Sequence, residues 1–312
     1  MKKINFGIRL APAILALSFL LSATQVQSAD FGIEDLGNGI YVHHGAHLDI
    51  DTGYQGDICN LSFVVGSRGV AVIDTGGSLK VGKQLRAAIK AVTPLPILYV
   101  INTHVHPDHI FGNAAFVQDK PVFVGHAKLG DTMQLRQEVY NKLNVKYLGA
   151  DAVGSDMVKP SLVVSTGSKL DLGDRSLQFT TYVSAHTVTD ISVIDSKTQT
   201  LFTGDLLFVE RTPVIESDIK GLIAAIDSLK SSQVSQVVPG HGPFTKDWIV
   251  ALNNERLYLD TLLTDIRTNI KNGVSMEKTM EMAAASEKNK WLLFDVANRR
   301  NVNTIYPILE WE

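Results

Sequence analysis

The sequence predicts an α/β fold in which two sheets lie face to face with helices outside. Three observations carry this. The chain holds two rounds of short strands, each followed by helix. Val70-Ala71-Val72-Ile73 and Ile97-Leu98-Tyr99-Val100-Ile101 are continuous apolar runs, the pattern of strands buried on both faces. Residues able to bind metal follow strands directly, where loops of an open α/β sheet project side chains into one crevice. None of these sets the strand order.

In chain order, strands are expected at Phe31–Leu36, Gly39–His43, Cys59–Val65 and Val70–Asp74, with turn chemistry at Gly37-Asn38-Gly39 and Gly66-Ser67-Arg68-Gly69. A helix follows from about Leu79 to Ala91, then the strand Ile97–Ile101. Pro121–Gly125 reads as strand, Ala127–Leu143 as helix and Lys146–Pro160 as an irregular surface segment. The second round is Ser161–Val164, Ser176–Val183, Ile191–Ile194 and Thr200–Thr203, then the helix Ile219–Leu229 and the strand Gln236–Val238. From about Lys246 to Glu312 the pattern is helical, with Trp248, Ile249, Leu252, Leu259, Leu262 and Leu263 at helix-like spacing. No low-complexity linker precedes this tail, so 29–245 reads as the main domain and 246–312 as a helical extension packed on it.

Residues 1–28 differ from the rest. Lys2, Lys3 and Arg9 precede an apolar run from about Leu10 to Leu21, and Val26 and Ser28 suit a cleavage site after Ser28 or Ala29. This is the pattern of a secretory signal peptide, and the run is short of the ~20 residues of a spanning helix. A periplasmic or secreted protein is expected, with no membrane contact once processed. Loss of those three cations takes the formal charge from −3 to −6, which argues against a nucleic-acid partner. Cys59 is the one cysteine, so no intramolecular disulfide forms and stability must come from the core and from metal.

Thr103-His104-Val105-His106-Pro107-Asp108-His109 is the most informative stretch. It places three of nine histidines and a carboxylate within six residues. Imidazole and carboxylate ligate zinc and similar metals, and four donors this close rarely all reach one ion, so two metals are expected. His186 in Ser184-Ala185-His186-Thr187, Asp205 in Thr203-Gly204-Asp205 and His241 in Pro239-Gly240-His241-Gly242 follow later strands and would complete such a site. Asp74 ends the strand before Thr75-Gly76; it either accepts the free N–H of a ligand histidine or serves as a turn or capping residue. His126 reads as a rim or structural residue, and Cys59 as a small buried hydrophobe. His43, His44 and His47 read as exposed or pocket-lining, because alternate strand residues point apart. Asp190 is placed to orient the His186 loop, and Tyr54, Phe111, Phe208 and Arg211 to line a pocket.

The order HxHxDH, His-Thr, TGD and PGHG, from Asp74 through His241, resembles the metallo-β-lactamase-fold hydrolases. The resemblance implies an αβ/βα sandwich of two mixed sheets flanked by helices, with a dinuclear zinc site at their joint edge. His104, His106 and His186 would take the first zinc, Asp108, His109 and His241 the second, and Asp205 would bridge them. An Asp at 205 is similar to glyoxalase II and related hydrolases rather than to the antibiotic-hydrolysing subclasses. Gly56-Asp57-Ile58-Cys59-Asn60, Val72–Ser78, Asn102–Asn113 and Leu309-Glu310-Trp311-Glu312 resemble more narrowly the quinoprotein relay system zinc metallohydrolases. That implies association with a quinoprotein dehydrogenase system.

What the family resemblance implies is an exported hydrolase. Hydroxide held between two zinc ions would attack an ester, thioester, lactone or amide carbonyl of a small-molecule substrate, with Asp108 also shuttling a proton to the leaving atom. Gly-x-Ser-x-Gly is absent, which disfavours a serine hydrolase. Two alternatives stay open. The same donors accept iron or manganese, so an iron-dependent oxidoreductase of the sulfur dioxygenase type fits the scaffold. A non-catalytic partner of a quinoprotein system fits the narrower resemblance. Oligomeric state is not legible.

Overall fold

Met1 apart, the computed structural model describes residues 31–312, and the signal-peptide reading of 1–28 lies outside them. The first sheet has seven strands in chain order: β1 (Glu34–Gly37), β2 (Ile40–His43), β3 (Leu61–Val65), β4 (Val70–Ile73), β5 (Ile97–Ile101), β6 (Val122–His126) and β7 (Leu162–Val164). The chain meanders antiparallel through β4 and then runs parallel from β4 to β7. Parallel neighbours need crossovers. These are α1 (Leu79–Val92), the single turn α2 (Pro107–Ile110) with a 3-10 segment over Phe111–Asp119, and α3 (Leu129–Leu148). Ser78 caps α1 by accepting from the Val81 N–H.

The second sheet has five strands: β8 (Lys169–Asp171), β9 (Ser176–Thr181), β10 (Ile191–Asp195), β11 (Thr200–Phe202) and β12 (Gln236–Val238), in the order β12-β11-β10-β9-β8. Only β11 and β12 are parallel, joined through α4 (Ile219–Leu229). The strand β8 is absent from the pattern reading; three residues between Gly167-Ser168 and Gly173 carry no alternation to detect.

Three apolar layers hold the sandwich. Val42, Ile73, Ile101 and Val124 of the first sheet meet Leu177, Phe179, Val193 and Phe202 of the second. Outside the first sheet, Phe63, Val72 and Val100 pack on Leu85 and Ile89 of α1 and on Phe116. Outside the second, Leu201 and Val237 pack on Leu222 and Ile226 of α4. The extension α5 (Trp248–Lys271), α6 (Met276–Met282) and α7 (Phe294–Leu309) adds Leu259, Leu262, Ile266, Val302 and Ile305 to that same layer. The result is the expected sandwich of two mixed sheets flanked by helices, with a C-terminal helical extension. No helix among the described residues is long and apolar enough to cross a membrane.

Candidate metal centre

The ends of β4, β5, β9, β11 and β12 open on one edge of the sandwich. His104 lies just past β5. The Pro107 ring at the first position of α2 starts a helical turn that carries Asp108 and His109. Asp205 sits on a 3-10 turn, Gly204–Leu206, directly after β11. His241 follows β12. His186 stands in an irregular loop, because β9 ends at Thr181 rather than near Val183. Gly240 is a glycine for a steric reason: a Cβ there would run into Asp205 Oδ1 and lie 2.6 Å from the Gly204 carbonyl carbon.

The seven sequence-predicted residues converge. One donor atom each from His104, His106, His186 and Asp205 lie within 4.8 Å of one another, as do those of His109, Asp205 and His241. The Asp205 carboxylate belongs to both groups: Oδ2 is 3.3 Å from His186 Nε2 and from His241 Nε2 and 3.8 Å from His104 Nε2, while Oδ1 is 3.2 Å from His109 Nε2. Asp108 Oδ2 is 3.6 Å from His109 Nε2 and 3.5 Å from His241 Nε2. His106 Nδ1 faces His186 Nε2 at 3.0 Å.

Each imidazole is held by its other nitrogen. His109 Nδ1 donates to Asp74 Oδ2 at 2.8 Å, and the same carboxylate accepts from the Thr103 N–H and hydroxyl at 2.8 and 2.7 Å. The Thr103 oxygen in turn takes His104 Nδ1 at 3.0 Å. His106 Nε2 bonds Glu216, His186 Nδ1 donates to the Val214 carbonyl at 2.7 Å, and His241 Nδ1 to the Ile58 carbonyl at 2.6 Å. With those protons committed, the free nitrogens face inward. His104 Nε2, His109 Nε2 and Asp205 Oδ1 are buried without a hydrogen-bond partner. Orphaned buried donors and acceptors are costly, and a cation among them removes the cost. The donor set therefore fits metal.

The electrostatics divide the imidazoles: burial would lower His106 and His109 too, but Glu216 beside the first and Cys59, Asp205, Asp74 and Asp108 around the second outweigh it and raise both. Burial pushes the His186 imidazole down to about 4 and holds His104 well below its ordinary value, leaving both neutral, the ligating state. Burial would raise the Asp205 carboxyl, but the imidazoles beside it, His241 and His109 first, outweigh it and hold it well below the usual carboxylate range. Asp190 accepts from the Thr187 N–H and hydroxyl, which braces the His186 loop as its spacing suggested; burial raises that carboxyl to about 7.

Other expectations resolve individually. Asp74 is the acceptor of the ligand-histidine reading, in a left-handed backbone conformation at φ +58°. His126 ends β6, accepts from the Lys128 N–H and lies outside both donor groups. His43 is a correction: it is buried, stacked on Phe31 and paired with Asp57, and neither it, His44 nor His47 lines the cavity. Phe111 is another; it packs among Val105, Ile110, Leu129 and Met133. Cys59 is buried as expected, yet its thiol also falls beside the Asp108 and His109 donor atoms and donates to the Asp108 carbonyl at 2.9 Å. Burial raises that thiol to about 12.

A cavity of about 580 Å³ opens over the cluster, with Tyr54, Ile58, Phe208, Arg211, Tyr140 and Leu143 in its walls. Sequence reasoning missed Glu216, which also pairs with Arg136 of α3 at 2.5 Å, and Asn301 of α7. The Asn301 amide donates to the Pro213 carbonyl at 2.7 Å and accepts from the Ile215 N–H at 3.0 Å, holding the loop whose Val214 carbonyl fixes His186. Neither residue lies in a motif; each meets its partner across more than eighty positions of chain.

The metallo-beta-lactamase superfamily matches residues 54–241, which span the whole donor set. The chain belongs to this superfamily. Family and ligand cluster together support a metal-dependent enzyme. Among curated relatives, a linear primary-alkylsulfatase of a Pseudomonas species is 34% identical over 61 residues, 20% of this chain and 12% of its own. Longer matches, 23–24% identical over 63–66% of this chain, are spanned to only 35–38% of their own length. Among solved structures, a stereoselective inverting sec-alkylsulfatase from a Pseudomonas species superposes with TM-score 0.69 at 15% identity, over 89% of this chain and 50% of its own. A metallo-beta-lactamase from Pontibacter korlensis gives 0.59 at 18%, over 73% and 98%. At these identities the likeness is one of fold.

Proposed function

We propose that the protein is an exported dinuclear zinc hydrolase of small molecules, cleaving an ester, thioester, lactone or amide. The observation that carries the reading is the Asp205 carboxylate, shared by two donor groups and left with an unpartnered buried oxygen. His104, His106 and His186 would hold one ion, Asp108, His109 and His241 the other, and Asp205 both. Bound there, zinc supplies Lewis acidity and brings the pKa of water to ~7.

The chain's own part is positioning and proton handling. Asp74, Thr103, Glu216 and the Val214 and Ile58 carbonyls fix the five imidazoles before substrate arrives. Tyr54, Ile58, Phe208, Val214 and Ile215 give the cavity an apolar side against which a substrate's hydrocarbon could pack. Asp108 lines the cavity and is the less buried of the two carboxylates, so it is the group placed to carry a proton to the leaving atom. Export rests on residues 1–28, and the quinoprotein connection on the narrower motif resemblance alone.

A second reading concerns the bond. Two alkylsulfatases are similar to this chain, one in sequence and one over 89% of the fold, so a sulfate ester belongs in the substrate panel. The test is elemental analysis of protein purified without added metal, followed by turnover of ester, thioester, lactone, β-lactam and alkyl sulfate. Two zinc ions per chain with turnover of one class supports the proposal. About one iron and no zinc sinks it in favour of the oxidoreductase alternative; full zinc loading with no turnover favours the non-catalytic one.

A further inference from the structure

The helix α5 turns an apolar face onto the second sheet, and Leu252, Tyr258, Leu259 and Leu262 of that face lie in the outer core. Glu255 stands among them at helical spacing and is fully buried. A carboxyl in such a place is costly unless its oxygens are used. Oε2 accepts from the Phe208 N–H at 3.0 Å, while Oε1 is buried without a hydrogen-bond partner. Burial raises the group well above the ordinary carboxylate range. A leucine would serve the apolar face better, so the acid is retained for what it does to Phe208.

Phe208 is where the metal centre meets the extension. Its ring stacks on His241, with centroids 5.1 Å apart and planes within 5°, and its edge meets His186 at 5.8 Å. The main chain of the strap Leu207–Thr212 is tied to the turn that carries His241. Val209 N–H donates to the His241 carbonyl at 3.0 Å, and Gly240 N–H to the Leu207 carbonyl at 3.2 Å. A Cβ at Gly242 would lie 1.9 Å from the Val209 carbonyl oxygen, so strap and turn are in close contact. The far end of the strap is held by the extension: Thr212 N–H donates to the Leu292 carbonyl at 3.0 Å, and Leu292 N–H to the Glu210 carbonyl at 2.7 Å. Between these ties Glu210 keeps a left-handed φ of +64°, which a residue with a long side chain holds only where its neighbours fix the chain. Without Glu255, the buried Phe208 N–H would lack an acceptor, and the strap would have to shift to find one.

We infer that Glu255 is a positioning residue of the metal centre: by accepting the Phe208 N–H from α5 it seats the Phe208 ring against His241, which makes the C-terminal extension a support of the ligand set. The consequence for metal rests on the metal-centre reading above; the clamp on the strap does not.

The test uses the full chain with Glu255→Gln and Glu255→Met. Glutamine keeps a carbonyl acceptor at the same reach, whereas methionine keeps the length and loses the strong acceptor. Hydrogen exchange of the Phe208 amide, measured on chelator-treated protein, reads the clamp alone. The amide should be protected in wild type and Glu255→Gln, and exchange about tenfold faster in Glu255→Met. Competition with a chromophoric chelator reads the consequence. Both zinc affinities should stay within about twofold of wild type in Glu255→Gln, and one should fall by about tenfold or more in Glu255→Met, the low end for partners that orient a ligand. A glutamate that serves only the fold would change Tm in Glu255→Met and leave both zinc affinities in place. Should Glu255→Met fail to fold, Phe208→Leu removes the stacked ring and keeps the main chain, and one zinc affinity should again fall by about tenfold. Zinc affinities within about twofold of wild type in Glu255→Met or in Phe208→Leu, or a loss in Glu255→Gln equal to that in Glu255→Met, overturn the inference. A protected Phe208 amide in Glu255→Met overturns the clamp itself. Wild type that takes up no zinc removes the metal-centre reading and the positioning role with it, while the exchange readout still decides whether Glu255 holds the strap.

Discussion

On the first sheet's side of the metal centre, side chains do the positioning. Asp74 takes His109 and Thr103, and Thr103 takes His104; Thr75, Asn102 and Asn113 form a buried hydrogen-bonded set beneath them. On the second sheet's side, main chain does it. His186 is held by the Val214 carbonyl, His241 by the Ile58 carbonyl, and Asp205 is seated against Gly240. The two halves therefore fail differently. The first is sensitive to single polar substitutions. The second is sensitive to anything that moves a loop, including changes in the remote helix that carries Asn301.

The largest effect should come from the residue common to both halves. Asp205→Ala is expected to abolish turnover and release metal while circular dichroism reports an intact fold; retained turnover with two metals per mutant chain would refute the bridging role. Gly240→Ala should come next. It inserts a methyl group against Asp205 and the Gly204 backbone, and a displacement of about 1 Å at a reacting centre costs on the order of a hundredfold in rate. A kcat/KM measurement checks this, and an unchanged value would show that the Asp205 loop yields freely. Asp74→Asn is the matched lesion on the first side. Asparagine tolerates the left-handed backbone at 74, so the substitution removes charge and His109 orientation without adding strain. Metal affinity should fall by about 10–100-fold, mostly at the ion His109 would hold. Competition with a chromophoric chelator reads it, and loss of both ions in parallel would argue that the halves are not separable.

Glu216→Gln should have the smallest effect on activity. His106 keeps an acceptor and loses only the charge, so the expected loss lies at or below about tenfold, the low end for such partners. A loss equal to that of Asp205→Ala would make Glu216 a participant in the chemistry. Chelator treatment tests the shared premise that metal offsets the cost of the orphaned donors. Tm should fall by several degrees and recover on zinc addition, at roughly 2–4 °C per kcal/mol in a large domain.

The same contrast explains what could be read from sequence. The first half is local: three histidines and Asp108 stand within six residues, so spacing alone exposes them. Asp205 and His241 are legible because tight Gly-containing turns accompany them. Their supports are not, because Glu216, Asn301 and the carbonyls of Ile58 and Val214 act through tertiary contacts and carry no pattern. Strand and helix positions follow the hydrophobic rhythm closely, as with β5, α4 and β12. The reading stops α3 at Leu143, whereas the helix runs to Leu148 and ends where Gly149 takes a positive φ of 55°. Two of the five extra residues, Asn144 and Tyr147, line the cavity. Phe111 was expected in that wall by nearness to the histidine motif, but the 3-10 segment it begins turns it into the core.

The central claim is that one carboxylate, Asp205, joins two metal sites. Anomalous scattering at the zinc edge from crystals of the wild-type chain tests it most directly. The account predicts two peaks, one on each side of the Asp205 carboxylate, with His104, His106 and His186 around one and Asp108, His109 and His241 around the other. A single fully occupied peak, or two peaks neither of which contacts Asp205, would contradict it.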